Sequence, residues 1–341
     1  MSDHVMHDVI ALLAEGKNLT RETATRAFQV IMNGGATPAQ MAAFIMGLRI
    51  KGETPDEIAA GAIALRAKAR AIKVPHPCID TCGTGGDGHA TYNISTATAF
   101  VLAACGLTVT KHGNRAISSA SGSSDVLTSL GIKIDAEISV LERCLKECGM
   151  TFLMAPLFHP GMRHISPVRQ ELGIRSIFNL IGPLANPAVP DYQLLGVYSA
   201  RLVEPIATAL KELGVKSAWV VHGSDGLDEL TLSGPSRVAE VKNDSIRMFE
   251  VSPKDAGLEC IPLEELKGKD PATNAKALLY ALSGAESAYR RAVLYNAAAG
   301  LLIAGKAADL KAGVELAKEA IDSGRAHKVL MKLADVSHQS V

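Results

Sequence analysis

Over residues 1–70 apolar positions recur at helical spacing. Phe28, Ile31 and Met32 share one face, and Met41, Phe44, Ile45 and Leu48 share another. Thr20 caps the first of these runs, which breaks at Gly34-Gly35. Thr37-Pro38 and Thr54-Pro55 each set a cap and a first-turn proline before the next run, and Glu57 completes a capping box with Thr54. Helices this short persist only by burying their apolar faces against one another or a partner.

Past Lys73-Val74-Pro75 the period changes. Strand-like runs at 79–82, 107–110, 151–154, 193–198 and 218–222 alternate with helical runs at 94–105, 124–130, 138–148 and 202–213. This alternation predicts a mostly parallel sheet with helices on both faces. Residues 237–249 read as a hairpin about Asn243-Asp244, and 274–333 return to alanine-rich helix. Residues 155–190 break the alternation with a long run rich in Pro, Gly, His and Arg. A structureless loop of that length is improbable in a compact domain unless it is functional. Short helices are expected at 166–172 and 174–180, in a segment that crosses to the N-terminal helices and lines a cleft. The expected division is a helical domain, 1–72, completed by part of 160–190, and an α/β domain, 73–341.

Composition narrows the field. Apolar residues make up 48% of the chain, enough for a large core, and 35 basic residues balance 35 acidic ones. That balance argues against a general nucleic-acid binder. No apolar run approaches the roughly 18 residues of a membrane helix, and the acidic N-terminus is unlike a secretion signal. A soluble, cytoplasmic protein is expected. Cys78, Cys82, Cys105, Cys144, Cys148 and Cys260 form no Cys-x-x-Cys pair and read as free thiols.

The chemistry concentrates in residues 80–125. A strand-like run feeds Gly83-Thr84-Gly85-Gly86-Asp87-Gly88, and a helix opens at Asn93-Ile94-Ser95-Thr96. A second strand-like run ends in Lys111-His112-Gly113-Asn114-Arg115, followed by Ser118, Ser119, Ser121, Ser123 and Ser124 around Gly122. Glycines let backbone amides approach an anion, and helix starts attract one. Three such segments at the ends of neighbouring strands imply a phosphate-bearing substrate. The Gly-x-Gly-x-x-Gly spacing fits a dinucleotide fingerprint, but no acid lies between Asp87 and Asp125 to hold a ribose. No Lys-Ser or Lys-Thr completes a P-loop. Asp228-Glu229 follows Gly226 beyond another strand-like run, and hard carboxylate oxygens beside a diphosphate suit Mg²⁺.

At these residues the chain resembles the anthranilate phosphoribosyltransferase family. GTGGD, NIST, KHGNR with its following serines, the HP-x-M-R-H to PVR-x-ELG-x-R-S-IFN run, GPL-x-NP and the DE pair stand in the family's order. The resemblance implies a small α-helical domain hinged to a larger α/β domain, usually as a homodimer. It implies transfer of a phosphoribosyl group from phosphoribosyl pyrophosphate to the amine of anthranilate, in tryptophan biosynthesis. Carried over, the diphosphate donor would be held by Gly83, Gly86, Asp87, Thr91, Asn93, Ile94, Ser95, Thr96, Lys111, His112, Gly113, Asn114, Arg115, Ala116, Ile117, Ser118, Ser119 and Ser123. Ser95, Asp228 and Glu229 would hold Mg²⁺, as two ions. Gly83, Asn114 and Arg169 would contact anthranilate, with Arg169 facing its carboxylate. No residue is assigned as a catalytic acid or base. A pyrimidine-nucleoside phosphorylase shares this architecture, and a nucleic-acid-binding relative is the non-enzymatic alternative; the KHGNR segment and the zero net charge speak against them respectively. No nucleic-acid or membrane partner is expected.

Overall fold

A computed structural model describes residues 2–114 and 121–339. Its seven strands are β1 (Cys78–Asp80), β2 (Thr108–Gly113), β3 (Met150–Met154), β4 (Tyr192–Gly196), β5 (Ser217–Gly223), β6 (Ser236–Lys242) and β7 (Ser245–Val251). They form one sheet in the order β3-β2-β1-β4-β5-β6-β7. β1 to β5 run parallel, and β6 and β7 add an antiparallel edge. Asn243 and Asp244 both lie at positive φ, 51° and 56°, as the tight turn of the β6–β7 hairpin requires.

Three ends of the five strand-like runs differ from expectation by two residues or more: β4 stops at Gly196 rather than 198, and β1 and β2 also differ. β1 is only three residues long and stops at Asp80, so the glycine-rich turn starts sooner. β2 runs on through Lys111, His112 and Gly113, which sit in the sheet rather than in a loop. The cause is pairing: β3 supplies partners to β2 from Val109 through to Gly113.

The N-terminal helices span Ser2–Ala14, Arg21–Met32, Pro38–Lys51 and Pro55–Ala67. Their starts follow the caps read from sequence. Thr20, Thr37 and Thr54 each accept from a backbone N–H three residues on. Glu57 does more than close its capping box. Its buried carboxylate accepts from the Leu19 N–H at 2.9 Å and the Lys51 ammonium at 2.9 Å, fastening the start of its own helix to the approach to the second helix and to the end of the third.

Residues 155–190 complete this bundle with a 3₁₀ turn, Pro160–His164, and two helices, Ser166–Leu172 and Ile177–Leu184. The second starts at 177, not 174. Gly173 ends the first helix in the left-handed region, and a fresh start is made at Ser176, whose N–H donates to the Asn179 side-chain oxygen at 3.0 Å. Phe178 then meets Phe28 edge-on with ring centres 5.8 Å apart, while Phe28 meets Phe44 at 5.2 Å. A methyl at Gly61 would lie 3.0 Å from both Ile181 and Phe28, so glycine there sets how closely these helices pack.

The core divides by sheet face. On one face the bundle's apolar residues run continuously into Leu195, Val197, Ala218, Val220, Ala239 and Val241 of the sheet region and into the helix Val203–Glu212. On the other, Ile94–Ala104, Ile138–Cys148 and the three final helices, Ala288–Ile303, Leu310–Asp322 and Arg325–Ser337, enclose the larger core.

Phe28 is fully buried at the meeting point of three helices. Phe28→Ala should therefore cost about 3–5 kcal/mol, measured by urea denaturation; a loss below about 1 kcal/mol would mean that this aromatic cluster does not hold the segment to the bundle.

Candidate active site at the β1–β4 crevice

In an open parallel sheet, ligands bind where consecutive crossovers diverge, at the carboxyl ends of the strands. Here that place lies between β1 and β4, which are adjacent although two strands separate them in sequence. The chain packs tightly there. A Cβ at Gly196 would lie 1.4 Å from the Asp228 carbonyl oxygen, so no other residue fits without moving the backbone. Thr84 donates its N–H to the Gly196 carbonyl at 2.9 Å, and Gly85 donates to the Asp228 carboxylate at 2.7 Å. Gly85, Gly86 and Gly88 all have positive φ, which turns the loop back across the strand ends.

Lys111 reaches into the crevice from β2. It is buried, and its ammonium donates to the Thr81 carbonyl and to Ser95 Oγ, each at 3.2 Å. Ser95 N–H donates to Glu229 at 3.1 Å, and Thr81 Oγ1 donates to the Ser95 carbonyl at 3.0 Å. The second strand end, the start of the helix Ile94–Ala104 and the acid pair are thereby joined.

Asp228 and Glu229 are half-buried rather than solvated loop acids. Burial raises both carboxyls well above their usual range, and the charge of Asp87 on Asp228, and of Asp228 on Glu229, raises them further. Asp87 faces the same place and accepts from the Asp228 N–H at 3.4 Å. Three oxygen donors of one sign converge beside a glycine cradle, which is the donor chemistry of a hard divalent cation. They do not form a closed cage. Among the described residues, the one trio of His, Cys, Asp or Glu donors within 4.8 Å of one another is His76, Cys78 and Asp191. Those three lie at the opposite ends of β1 and β4, where Lys216, His76 and the Cys78 N–H already occupy the Asp191 carboxylate.

Beneath the crevice Asp80 is wholly buried. It accepts from the His112 N–H at 3.2 Å and from Asn186 Nδ2 at 2.8 Å. Burial pushes its carboxyl up to about 6, opposed by Lys111 and those hydrogen bonds. His112 and His159 pack edge to face at 5.4 Å, and burial drives their imidazoles down to about 3 and about 4, so both are neutral near pH 7.

The other wall comes from residues 155–190. Arg169 is half-buried over the Phe178 ring at 5.4 Å, not a surface cation. Arg175 lies 4.6 Å above the Tyr198 ring and donates to the Gly86 carbonyl, bridging this segment to the glycine loop. Of the other residues singled out, Thr91 bridges to Lys267, Ile94 and Thr96 are buried at the helix start, and Gly113 backs onto Ser123. Asn114 is exposed beside Ser123. Arg115, Ala116, Ile117, Ser118 and Ser119 lie outside the described residues. Sequence reading missed Asp80, His159, Arg175 and Asn186. The strand end at Asp80 and the Asn186-Pro187 pair were available signals, but which strands would be neighbours was not.

A glycine cradle, a buried lysine and a rim of acids at a topological switch point have the chemistry of a site for a phosphate-bearing ligand with a divalent cation. Comparisons with known proteins agree and go further. Residues 75–327 match the α/β domain of a glycosyl transferase family, and residues 7–69 match that family's helical bundle domain. An anthranilate phosphoribosyltransferase from Rhodopseudomonas palustris is 53% identical over 329 residues, covering 96% of this chain and 97% of that one. The crystal structure of the anthranilate phosphoribosyltransferase from Thermus thermophilus superposes with a TM-score of 0.92 at 42% identity, covering 97% of this chain and all of that one. The Saccharomyces cerevisiae enzyme, solved in complex with phosphoribosyl pyrophosphate and Mg, superposes at 0.89 with 29% identity over 97% of both chains. The chain belongs to this glycosyl transferase family, among its anthranilate phosphoribosyltransferases.

Asp80 sets a pH dependence of stability. Its folded-state carboxyl titrates near 6 against an ordinary 3.8, so the native state binds this proton more tightly than the unfolded chain does. Its contribution is fully present below about pH 4 and is lost as pH rises through about 6. Asp80→Asn cannot accept from both donors and should lower stability by about 1–3 kcal/mol. It should also flatten the change in stability between pH 4.5 and 7.5, measured by urea denaturation. An unchanged slope in the variant would assign the pH dependence to other groups.

Proposed function

We propose that the β1–β4 crevice transfers the 5-phosphoribosyl group of phosphoribosyl pyrophosphate to the amine of anthranilate, releasing pyrophosphate, in tryptophan biosynthesis. The observation that carries this reading is the convergence of the Gly83–Gly88 turn, the buried Lys111 ammonium and the Asp87, Asp228 and Glu229 carboxylates at one switch point. Anion-binding amides and a metal-binding rim are brought together, as a diphosphate requires.

Gly83, Gly86, Asp87, Thr91, Asn93, Ile94, Ser95, Thr96, Lys111, His112, Gly113, Asn114 and Ser123 form the donor site, continued by residues 115–119. Ser95, Asp228 and Glu229 hold Mg²⁺, as two ions, with Asp87 next to them. The fit rests on the charge of the rim, because three carboxylates that repel one another are eased by a dication. Bound Mg²⁺ supplies charge neutralisation for the departing pyrophosphate. Lys111 brings its ammonium beneath Ser95, and the glycine turn presents backbone amides to the leaving group. Breaking the anomeric C–O bond builds positive charge on the ribose, so orientation and electrostatics supply most of the acceleration.

Arg169, with Gly83 and Asn114, binds anthranilate. The planar guanidinium, already stacked on Phe178, matches a planar aromatic carboxylate. The acceptor's amine is largely unprotonated at neutral pH and keeps its lone pair for attack, so no protein base is assigned. The enzyme works in the cytoplasm as a homodimer formed through the helical domain.

The direct test is anthranilate fluorescence with Mg²⁺ and phosphoribosyl pyrophosphate. Fluorescence should fall as pyrophosphate appears, and a steady signal from folded protein would sink the assignment. Arg169→Ala should raise the anthranilate KM by roughly 10- to 150-fold, the equivalent of about 1.5–3 kcal/mol for a charge-assisted contact, with little change in the KM for the donor. Equal weakening of both substrates would place Arg169 elsewhere.

The acid rim is tested separately. Asp228→Ala with Glu229→Ala should leave the far-ultraviolet circular dichroism intact, because it removes mutually repelling buried charges. It should shift the Mg²⁺ dependence of turnover to higher concentration. Superimposable Mg²⁺ titrations of variant and wild type would remove the metal role.

A further inference from the structure

Asn93 stands at the N-cap of the helix Ile94–Ala104, yet its side chain makes no capping hydrogen bond. The amide oxygen is engaged elsewhere. Asn274 Nδ2 donates to Asn93 Oδ1 at 3.2 Å, from a side chain only 2% exposed and 181 residues away in sequence. Asn93 Nδ2 in turn donates to the Ser121 carbonyl at 3.3 Å, on the serine-rich side of the crevice.

An amide can be turned end for end, so its polarity needs an external reference. Here a backbone N–H supplies it. Lys269 N–H, which can only donate, points at Asn274 Oδ1 at 2.8 Å. Asn274 must therefore present its NH₂ to Asn93. Asn93 must answer with its oxygen, which turns its own NH₂ to the Ser121 side, where the Ser121 carbonyl takes one hydrogen and one is left for the crevice. The surroundings hold this relay rigid. Gly268 N–H donates to the Ala90 carbonyl at 2.8 Å, and Tyr92 N–H to the Leu266 carbonyl at 2.9 Å. A Cβ at Gly268 would lie 2.8–2.9 Å from the Asn274 amide and 2.9 Å from the Thr91 carbonyl oxygen. Tyr289 hydroxyl donates to the Asn93 carbonyl at 2.9 Å while its ring stacks on Tyr92 at 4.7 Å.

We propose that Asn274 is a positioning residue for the donor substrate: through a relay of amide polarity from the Lys269 N–H, and together with the Ser121 carbonyl, it holds Asn93 so that its remaining N–H donor, not its acceptor, meets the phosphate groups. A polyanion accepts hydrogen bonds at every phosphate oxygen, so the reversed amide would set an oxygen against oxygens. This inference rests on the proposed binding of phosphoribosyl pyrophosphate in the crevice. Asn274 itself touches no substrate and acts only through Asn93.

The test is a double-mutant cycle read by calorimetric titration of phosphoribosyl pyrophosphate with Mg²⁺. The proteins are wild type, Asn274→Asp, Asn93→Ala and the double variant, each checked for a cooperative thermal transition. Asn274→Asp keeps an acceptor for Lys269 but turns a second oxygen towards Asn93, so that the Asn93 amide must set its own oxygen against either that carboxylate or the Ser121 carbonyl and loses its present position. It should weaken binding by about tenfold, the scale of one lost hydrogen bond to a charged group, while the anthranilate KM at saturating donor stays near its wild-type value. With Asn93→Ala already present, Asn274→Asp should add less than about a twofold loss. If Asn274→Asp fails to fold, the neutral Asn274→Ala takes its place in the same cycle, with a smaller loss that again depends on Asn93. An equal loss in both backgrounds, or no loss in either, would overturn the relay and leave the proposed function standing. Failure of the wild type to bind phosphoribosyl pyrophosphate would overturn both.

Discussion

The Asp228 carbonyl occupies the space in which a side chain at position 196 would begin. The whole crevice follows from that contact. Glycine at the end of β4 admits the 228–229 segment over the sheet, where its acids reach the glycine turn from β1 and the helix that Ser95 opens. Any larger residue at 196 would lift the acid pair away from the cradle. The packing thus sets distances between groups that come from strands far apart in sequence.

What the packing assembles is electrostatically incomplete. Asp80, Asp87, Asp228 and Glu229 gather near one buried ammonium; burial raises the carboxyls of Asp80, Asp228 and Glu229, and like charge raises Asp228 and Glu229 further. Such a cluster is tolerated because it is partly protonated or awaiting positive charge. On the proposed function, ligand binding and ionisation of the rim would be one coupled event, because a cation held by these carboxylates would favour their deprotonated forms and neutralise the charge facing a diphosphate. Lys111, locked by Thr81 and Ser95, is the fixed point around which that exchange would take place.

Local rules carried much of this in the sequence. Thr-Pro pairs fixed helix starts to the residue, the change of period marked the passage from bundle to sheet, and Asn243-Asp244 marked the hairpin. The glycine turn, the Asn93 segment and Lys111 could be grouped because they lie within one short stretch of chain. Errors arose where a partner decided the outcome. β2 is extended by β3, and the helix after Gly173 waits for a cap at Ser176 that apolar spacing alone does not reveal. The burial of Asp228 and Glu229 was illegible because it depends on Gly196, and the tie from Asn274 to Asn93 because nothing local links positions 181 residues apart. Periodicity identifies a buried face, but it does not say what covers it.

The continuous core between bundle and sheet changes what the word domain means here. By chain order the helices of residues 2–67 form one unit and the sheet another, yet Phe28, Ile181, Leu195, Val220 and Ile206 belong to a single apolar body. The seam of the molecule lies along the plane of the sheet, not at the boundary between helical and α/β sequence. A proteolytic cut near residue 70 would not release two finished pieces. It would strip one side of the sheet of part of its cover, leaving the Val203–Glu212 helix there, and the severed bundle would lack the Ile177–Leu184 helix that its aromatic residues pack against.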